Sequence, residues 1–67
     1  MIKDQYEIKG YGVTAKVTWY DNDDIMIEAR VKSTVEREAV VALVDDVFGL
    51  TSDHQPDYSD GVVTFWF

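Results

Sequence analysis

The side chains best suited to chemistry in this sequence are one histidine and several closely spaced aspartates. His54 follows Asp53, with Asp57 downstream and serines at Ser52 and Ser59. A histidine oriented by a carboxylate can take the proton of a serine hydroxyl, provided the serine sits on a strained turn that aims its oxygen at the ring. No such motif surrounds either serine, so a solvated loop histidine is the simpler reading. The run Asp21-Asn22-Asp23-Asp24 resembles the opening of a calcium loop. That loop needs an oxygen ligand at its fifth position and glycine at its sixth, where this chain has Ile25 and Met26. Asp53, Asp57 and Asp60 supply three more carboxylates, at a spacing that fits adventitious divalent binding and no dedicated site. There is no cysteine, hence no thiolate ligand and no disulfide. Gly10 and Gly12 do not open a helix, so no phosphate loop is present. The expectation is a protein that is not an enzyme and has no metal and no cofactor.

The elements that must position these side chains are legible from periodicity. Val13–Tyr20 and Ile25–Lys32 both alternate, with apolar residues at odd positions, and the aspartate cluster between them marks a turn. Facing residues share a face, so odd pairs with odd. Setting Val17 against Ile27 and Ala15 against Ala29 places Lys16 opposite Glu28, an attractive pair; a slip of two residues sets Lys16 against Arg30 instead. Ser33-Thr34-Val35-Glu36 reads as a capping box that opens a helix over about 34–48. Val35, Ala39, Val40, Leu43, Val44 and Val47 form its apolar stripe, and Gly49 ends it. Residues 3–9 alternate weakly and fit an edge strand. The change of apolar parity across Gly10-Tyr11-Gly12 implies a turn or a bulge there. Residues 51–60 read as a long polar loop, and 61–67 as a final strand.

The resulting fold class is α+β: an antiparallel or mixed sheet of three to four strands, order (β)ββαβ, with one helix packed on one face. The last strand can follow a right-handed crossover to lie parallel to residues 25–32, or skip across to pair antiparallel with 13–20. The second arrangement keeps every pair antiparallel and is preferred. At 67 residues the chain has room for one domain. It begins without a signal-peptide pattern, and its apolar runs are too short to span a bilayer, which together suggest a soluble, cytoplasmic protein.

Charge narrows the function classes. The formal net charge is −7, with nine Asp and four Glu against six basic residues. Such a field repels nucleic acid and anionic membrane, and it attracts basic protein surfaces. Three acidic clusters are candidate partner contacts: Asp21, Asp23 and Asp24 at the hairpin tip; Asp53, Asp57 and Asp60 in the loop; and Asp45 and Asp46 in the last helical turn, with Glu38 further up the helix. Glu38 and Glu36 favour the helix start, whereas Asp45 and Asp46 oppose the dipole at its negative end, a local cost that either a partner or general solubility would explain. Trp66 and Val62 are expected on the sheet face away from the helix beside Tyr20, Thr18 and Met26, a composition typical of interfaces unless the N-terminal segment folds over it through Tyr6, Ile8 or Tyr11.

In size, charge and α+β character the chain resembles small acidic phage proteins that inhibit nucleic-acid-binding enzymes, among them many CRISPR inhibitors, whose carboxylates occupy grooves built for phosphates. The resemblance implies a non-enzymatic inhibitor or decoy of a basic, nucleic-acid-binding protein, acting in the host cytoplasm. A homo-oligomeric module, such as a homodimer pairing through the open aromatic face or the edge of the C-terminal strand, is the alternative. An aspartate-rich halophilic surface would also account for the charge, though four lysines and four isoleucines fit that composition only in part.

Overall fold

Even-numbered apolar residues at the start of the chain must share a face with odd-numbered ones after Gly12, and a two-residue reversal does this. In the computed structural model, which describes residues 1–51 and 54–67, β1 (Ile2–Gly10) pairs antiparallel with β2 (Val13–Tyr20), so that Tyr6 meets Val17 and Ile8 meets Ala15. Tyr11 and Gly12 form the turn with φ of 54° and 79°. Both central residues of the tight turn that matches strand twist need this left-handed backbone. A bulge between Ile2 and Asp4 interrupts the far end of the ladder.

β3 (Ile25–Arg30) pairs with β2 in the register that charge complementarity selects: Val17 opposite Ile27 and Lys16 opposite Glu28. The ladder stops there, and Ala15 and Ala29 are not paired across it, although both are buried in the core. The connecting tip is a turn closed by Asp23 N–H on the Tyr20 carbonyl (3.0 Å), followed by Asp23 itself in the left-handed region at φ 70°.

The helix α1 spans Thr34–Phe48, as its capping signals require. The Ser33 hydroxyl accepts from Glu36 N–H, while the Glu36 carboxylate reaches one residue beyond the usual box to accept from Lys32 N–H at 2.7 Å. Its buried face is narrower than the expected stripe. Val40, Leu43 and Val44 are buried, but Val35 and Val47 stand exposed, Val35 because it lies in the first turn off the axis of the 40/43/44 face. The helix crosses the sheet obliquely. Arg37 lies over the Tyr58 ring at one side, and Leu43 presses on Gly10 at the other, where a β-carbon would come within 2.9 Å of Leu43 Cδ1.

The polar stretch after the helix is not all loop. β4 (Asp57–Ser59) and β5 (Val62–Trp66) form a second tight hairpin through Asp60 and Gly61, with φ of 53° and 76°. Asp-Gly is a strong signal for this turn; the short, polar β4 leaves it easy to overlook. That hairpin also corrects the placement of the last strand. β5 lies beside β3, antiparallel, and not beside residues 13–20; the sheet order is β1-β2-β3-β5-β4. The crossover from β3 lands on β4 at the far edge, and the Asp60-Gly61 turn folds β5 back into the slot between. Every pairing is antiparallel, in five strands instead of three or four. Val17, Ile27, Val63, Phe65, Val40 and Val44 form a core with essentially no exposed surface.

Two outcomes follow for stability. Phe65→Ala removes the largest fully buried side chain and is expected to cost roughly 3–5 kcal/mol. Against a stability of about 0.05–0.15 kcal/mol per residue, a loss of that size should lower the urea midpoint by roughly a third or more. Gly61→Ala places a β-carbon at positive φ and 3.3 Å from the Val31 carbonyl. It should destabilise the fold by about 1 kcal/mol or more, read as a lower urea midpoint at unchanged slope.

Candidate interaction surface

Because the helix covers the odd-numbered face of β2, the even-numbered residues project from the other side of the sheet. Cross-strand register then lines up two rows on that face. Gln5, Thr18, Met26 and Trp66 form one; Glu7, Lys16, Glu28, Thr64 and Asp57 form the next. The first row carries the apolar centre. Trp66 is 55% exposed, and its ring stacks on Tyr20 at 6.1 Å between centroids and 19° between planes. Met26, cross-strand from Trp66, is half-buried beside them. Thr18 is fully covered on the same face, its hydroxyl accepting from the Gln5 amide at 3.0 Å. An offset aromatic pair of this kind is held in place before any partner arrives, so little order remains to be imposed on it. The N-terminal segment does not fold over the patch: Tyr6 and Ile8 lie on the helix side of β1, and Tyr6 accepts from the Trp19 indole at 3.1 Å.

The tip aspartates border this centre. Tyr20 leads directly into Asp21, and Phe67 pairs with Ile25 at the same end of the sheet. Asp21, Asp23 and Asp24 are exposed; the Met1 amino group lies 3.4 Å from Asp21 and Lys3 Nζ 3.7 Å from Asp23. At such exposure these contacts offset little of the charge. Asp57 belongs to the same face, one rung along from Trp66.

The remaining sequence candidates are dispersed. Asp60 occupies the β4–β5 turn at the opposite end of the sheet from the tip. Glu38 is exposed on the helix, beside a shallow hollow of about 290 Å³ lined by Thr34, Arg37, Val41 and Pro56. Asp53, with Ser52, lies outside the described residues. Asp45 and Asp46 each have an intramolecular role. The Asp45 carboxylate accepts from Leu50 N–H at 2.8 Å and so caps the chain's exit from the helix, while its carbonyl accepts from Gly49 N–H. Asp46 accepts from the Tyr11 hydroxyl. Those bonds give a local account of two aspartates at the negative end of the dipole.

His54 packs on Phe67 at 4.3 Å between ring centroids, with Nδ1 turned to the Thr51 hydroxyl at 3.1 Å. Among the described residues no three His, Asp or Glu side chains gather as a cation would require. No helix among them is long and apolar enough to cross a membrane.

One feature had no signal in the sequence. Beyond Lys16 and Glu28 the β1–β2 hairpin parts from β3 and β5, leaving a concavity of about 600 Å³ lined by Glu7, Lys16, Glu28, Arg30, Lys32 and Glu36, among others. It holds half of the chain's six cations, balanced by three acids. The excess negative charge therefore belongs to the tip, the helix and the β4 side. Known protein families, curated proteins and solved structures contain no match to this chain.

The Tyr11–Asp46 bond has a spectroscopic signature. It holds the Tyr11 phenol above its ordinary pKa of 10.0, chiefly because Asp46 accepts the phenolic hydrogen, helped by partial desolvation and the negative charges of Asp46 and Asp45. A raised tyrosine pKa means that the folded chain keeps a proton which the unfolded chain releases. The bond's contribution is then full below pH 10.0 and fades as pH rises through the raised value. Absorbance titration of tyrosinate should show one tyrosine titrating late, and Asp46→Asn should shift that step downward.

Proposed function

We propose that this protein is a non-enzymatic binding module that docks on the basic surface of a nucleic-acid-binding protein and acts as its inhibitor or decoy. The observation that carries the reading is the exposed, stacked Tyr20–Trp66 pair on the uncovered sheet face, bordered by the tip aspartates and Asp57. An aromatic centre with a charged rim is the usual anatomy of a specific contact: the rings bury area at low entropic cost, and the carboxylates steer the encounter and exclude wrong partners. The net charge of −7 selects a basic partner, and it disfavours direct contact with DNA or RNA. Asp45, Asp46, Glu38 and Asp60 add to the long-range field from other sides of the molecule. Grooves that bind nucleic-acid phosphates are lined with Lys and Arg, and carboxylates presented on a sheet suit them.

The test is a pull-down from a host lysate at low and moderate salt, with an unrelated acidic protein of matched charge as control. Enrichment of one nucleic-acid-binding protein over the control supports the reading; identical recoveries refute it. Against the partner so found, Trp66→Ala should weaken binding about thirtyfold or more, as loss of a central anchor does. Far-UV circular dichroism should be unchanged, since the side chain is mostly exposed. Asp21, Asp23 and Asp24 changed together to Asn should weaken binding several-fold and flatten its salt dependence. The second reading, a homo-oligomer closing over the same aromatic pair, is favoured by the same exposed Trp66. It predicts a salt-insensitive oligomer in light scattering that Trp66→Ala dissolves.

A further inference from the structure

We propose that β1 is the pairing edge for a second copy of this chain, joined antiparallel about a two-fold axis at Ile8. This rests on a different surface from the aromatic face and does not depend on the function assigned to it. The sheet has two edges, and they are unequal. β4 is three residues long and follows Pro56, so it offers little to pair with. β1 is nine residues long, and from Ile2 to Glu7 every residue is exposed. The Gly10–Val13 pair closes a two-residue hairpin, so Gly10, Ile8 and Tyr6 bond inward to β2. The amides and carbonyls of Glu7 and Lys9 therefore point outward, away from β2; the Gln5 N–H on the same side already donates to the Asp4 carboxylate at 2.8 Å.

Free edges usually carry charge to prevent indiscriminate pairing, and this one has Lys3, Asp4, Glu7 and Lys9. The order of those charges distinguishes among self-pairings. With two copies centred on Ile8, Glu7 of each faces Lys9 of the other, twice, on the open face. On the helix face Ile8 meets Ile8, and the 40%-exposed Tyr6 lies across Gly10, which has no side chain of its own to offer. Centring on Glu7 sets that carboxylate against its own copy. Centring on Tyr6 opposes Lys3 with Lys9. Centring on Gln5 draws the bulge between Ile2 and Asp4 into the ladder. That centring also sets Glu7 against Lys3, so there the bulge is what disfavours pairing, whereas the Ile8 register is both attractive and regular. The product is a continuous sheet with both helices on one side and both Tyr20–Trp66 pairs on the other.

Sedimentation equilibrium on the full chain tests this, at physiological ionic strength so that the net repulsion of two acidic copies is screened. The wild type should form a dimer as concentration rises. Lys9→Glu, which faces only Thr14 within the fold, should weaken association about tenfold or more by converting two attractions into repulsions. Glu7→Lys should do the same, with a thermal melt to check the monomer, since Glu7 also faces Lys16. An equimolar mixture of the two variants restores both ion pairs and carries the same total charge as the wild-type pair, so it should recover the dimer. A strictly monomeric wild type would overturn the proposal, as would a mixture that stays monomeric. So would a dimer that Trp66→Ala dissolves and Lys9→Glu leaves intact.

Discussion

A single 15-residue helix has to cover a five-stranded sheet, and the rest of the structure follows from how it manages this. A helix is about 10 Å wide with its side chains, and strands lie about 4.8 Å apart, so one helix laid along the strands would shelter barely two of them. Crossing obliquely, it reaches from Tyr58 on β4 to Gly10 and Tyr11 on β1. Each end of that path needs an accommodation. Gly10 must lack a side chain so that Leu43 can descend. At the other side, Arg37 lays its guanidinium on the Tyr58 ring at 4.8 Å instead of burying an apolar side chain on a strand whose residues are all exposed. The corner the helix leaves uncovered is filled by Phe48 on Phe67 at 5.5 Å, by His54 on the same ring, and by Leu50 against the core. The sole histidine thus serves as a packing residue on Phe67, with its Nδ1 against the Thr51 hydroxyl.

The same constraint leaves the second face bare. Among the described residues no second helix lies on the side of the sheet that carries Tyr20, Met26 and Trp66. Those residues were readable in advance because strand alternation is strict: once Val17 and Ile27 are assigned inward, Thr18, Met26 and Tyr20 must point outward. The helix bounds and the β2–β3 register were legible for similar reasons, one from local capping chemistry and the other from a charge pair that only one alignment makes attractive. The position of β5 was not legible. It depends on β4, and three residues, two of them polar, carry no alternation that distinguishes strand from loop. The informative signal was the Asp60-Gly61 dipeptide, which specifies a tight reversal and with it an antiparallel last strand. The splaying of β2 from β3 beyond Lys16 and Glu28 had no counterpart in the sequence at all, since Ala15 and Ala29 look like one more facing pair.

Asp45 and Asp46 show that a rule violation can have a local account. Acids at a helix C-terminus are unfavourable in isolation, and an unfavourable residue invites a functional explanation. Here the explanation is local: one carboxylate receives the amide of Leu50 and the other the hydroxyl of Tyr11. Tyr11 itself is strained, a bulky residue at φ 54° in a tight turn. Its bond to Asp46 ties the β1–β2 turn to the end of the helix, so two separately unfavourable choices stabilise each other. Neither partner shows in sequence, because they are 35 residues apart and no periodicity links them.

With those two acids accounted for, the distribution of charge takes a simpler form. Half of the cations line the cleft at the end where β2 and β3 part, balanced there by acids, while the tip aspartates stand at the other end with the aromatic pair. Asp60 and the Asp46 bound to Tyr11 stand at the cleft's end of the sheet, so acidic charge faces both ends. What distinguishes the tip is the exposed aromatic pair beside its aspartates. On the proposed reading, charge at the tip would act on encounter with a basic partner, and the apolar area beside it on residence.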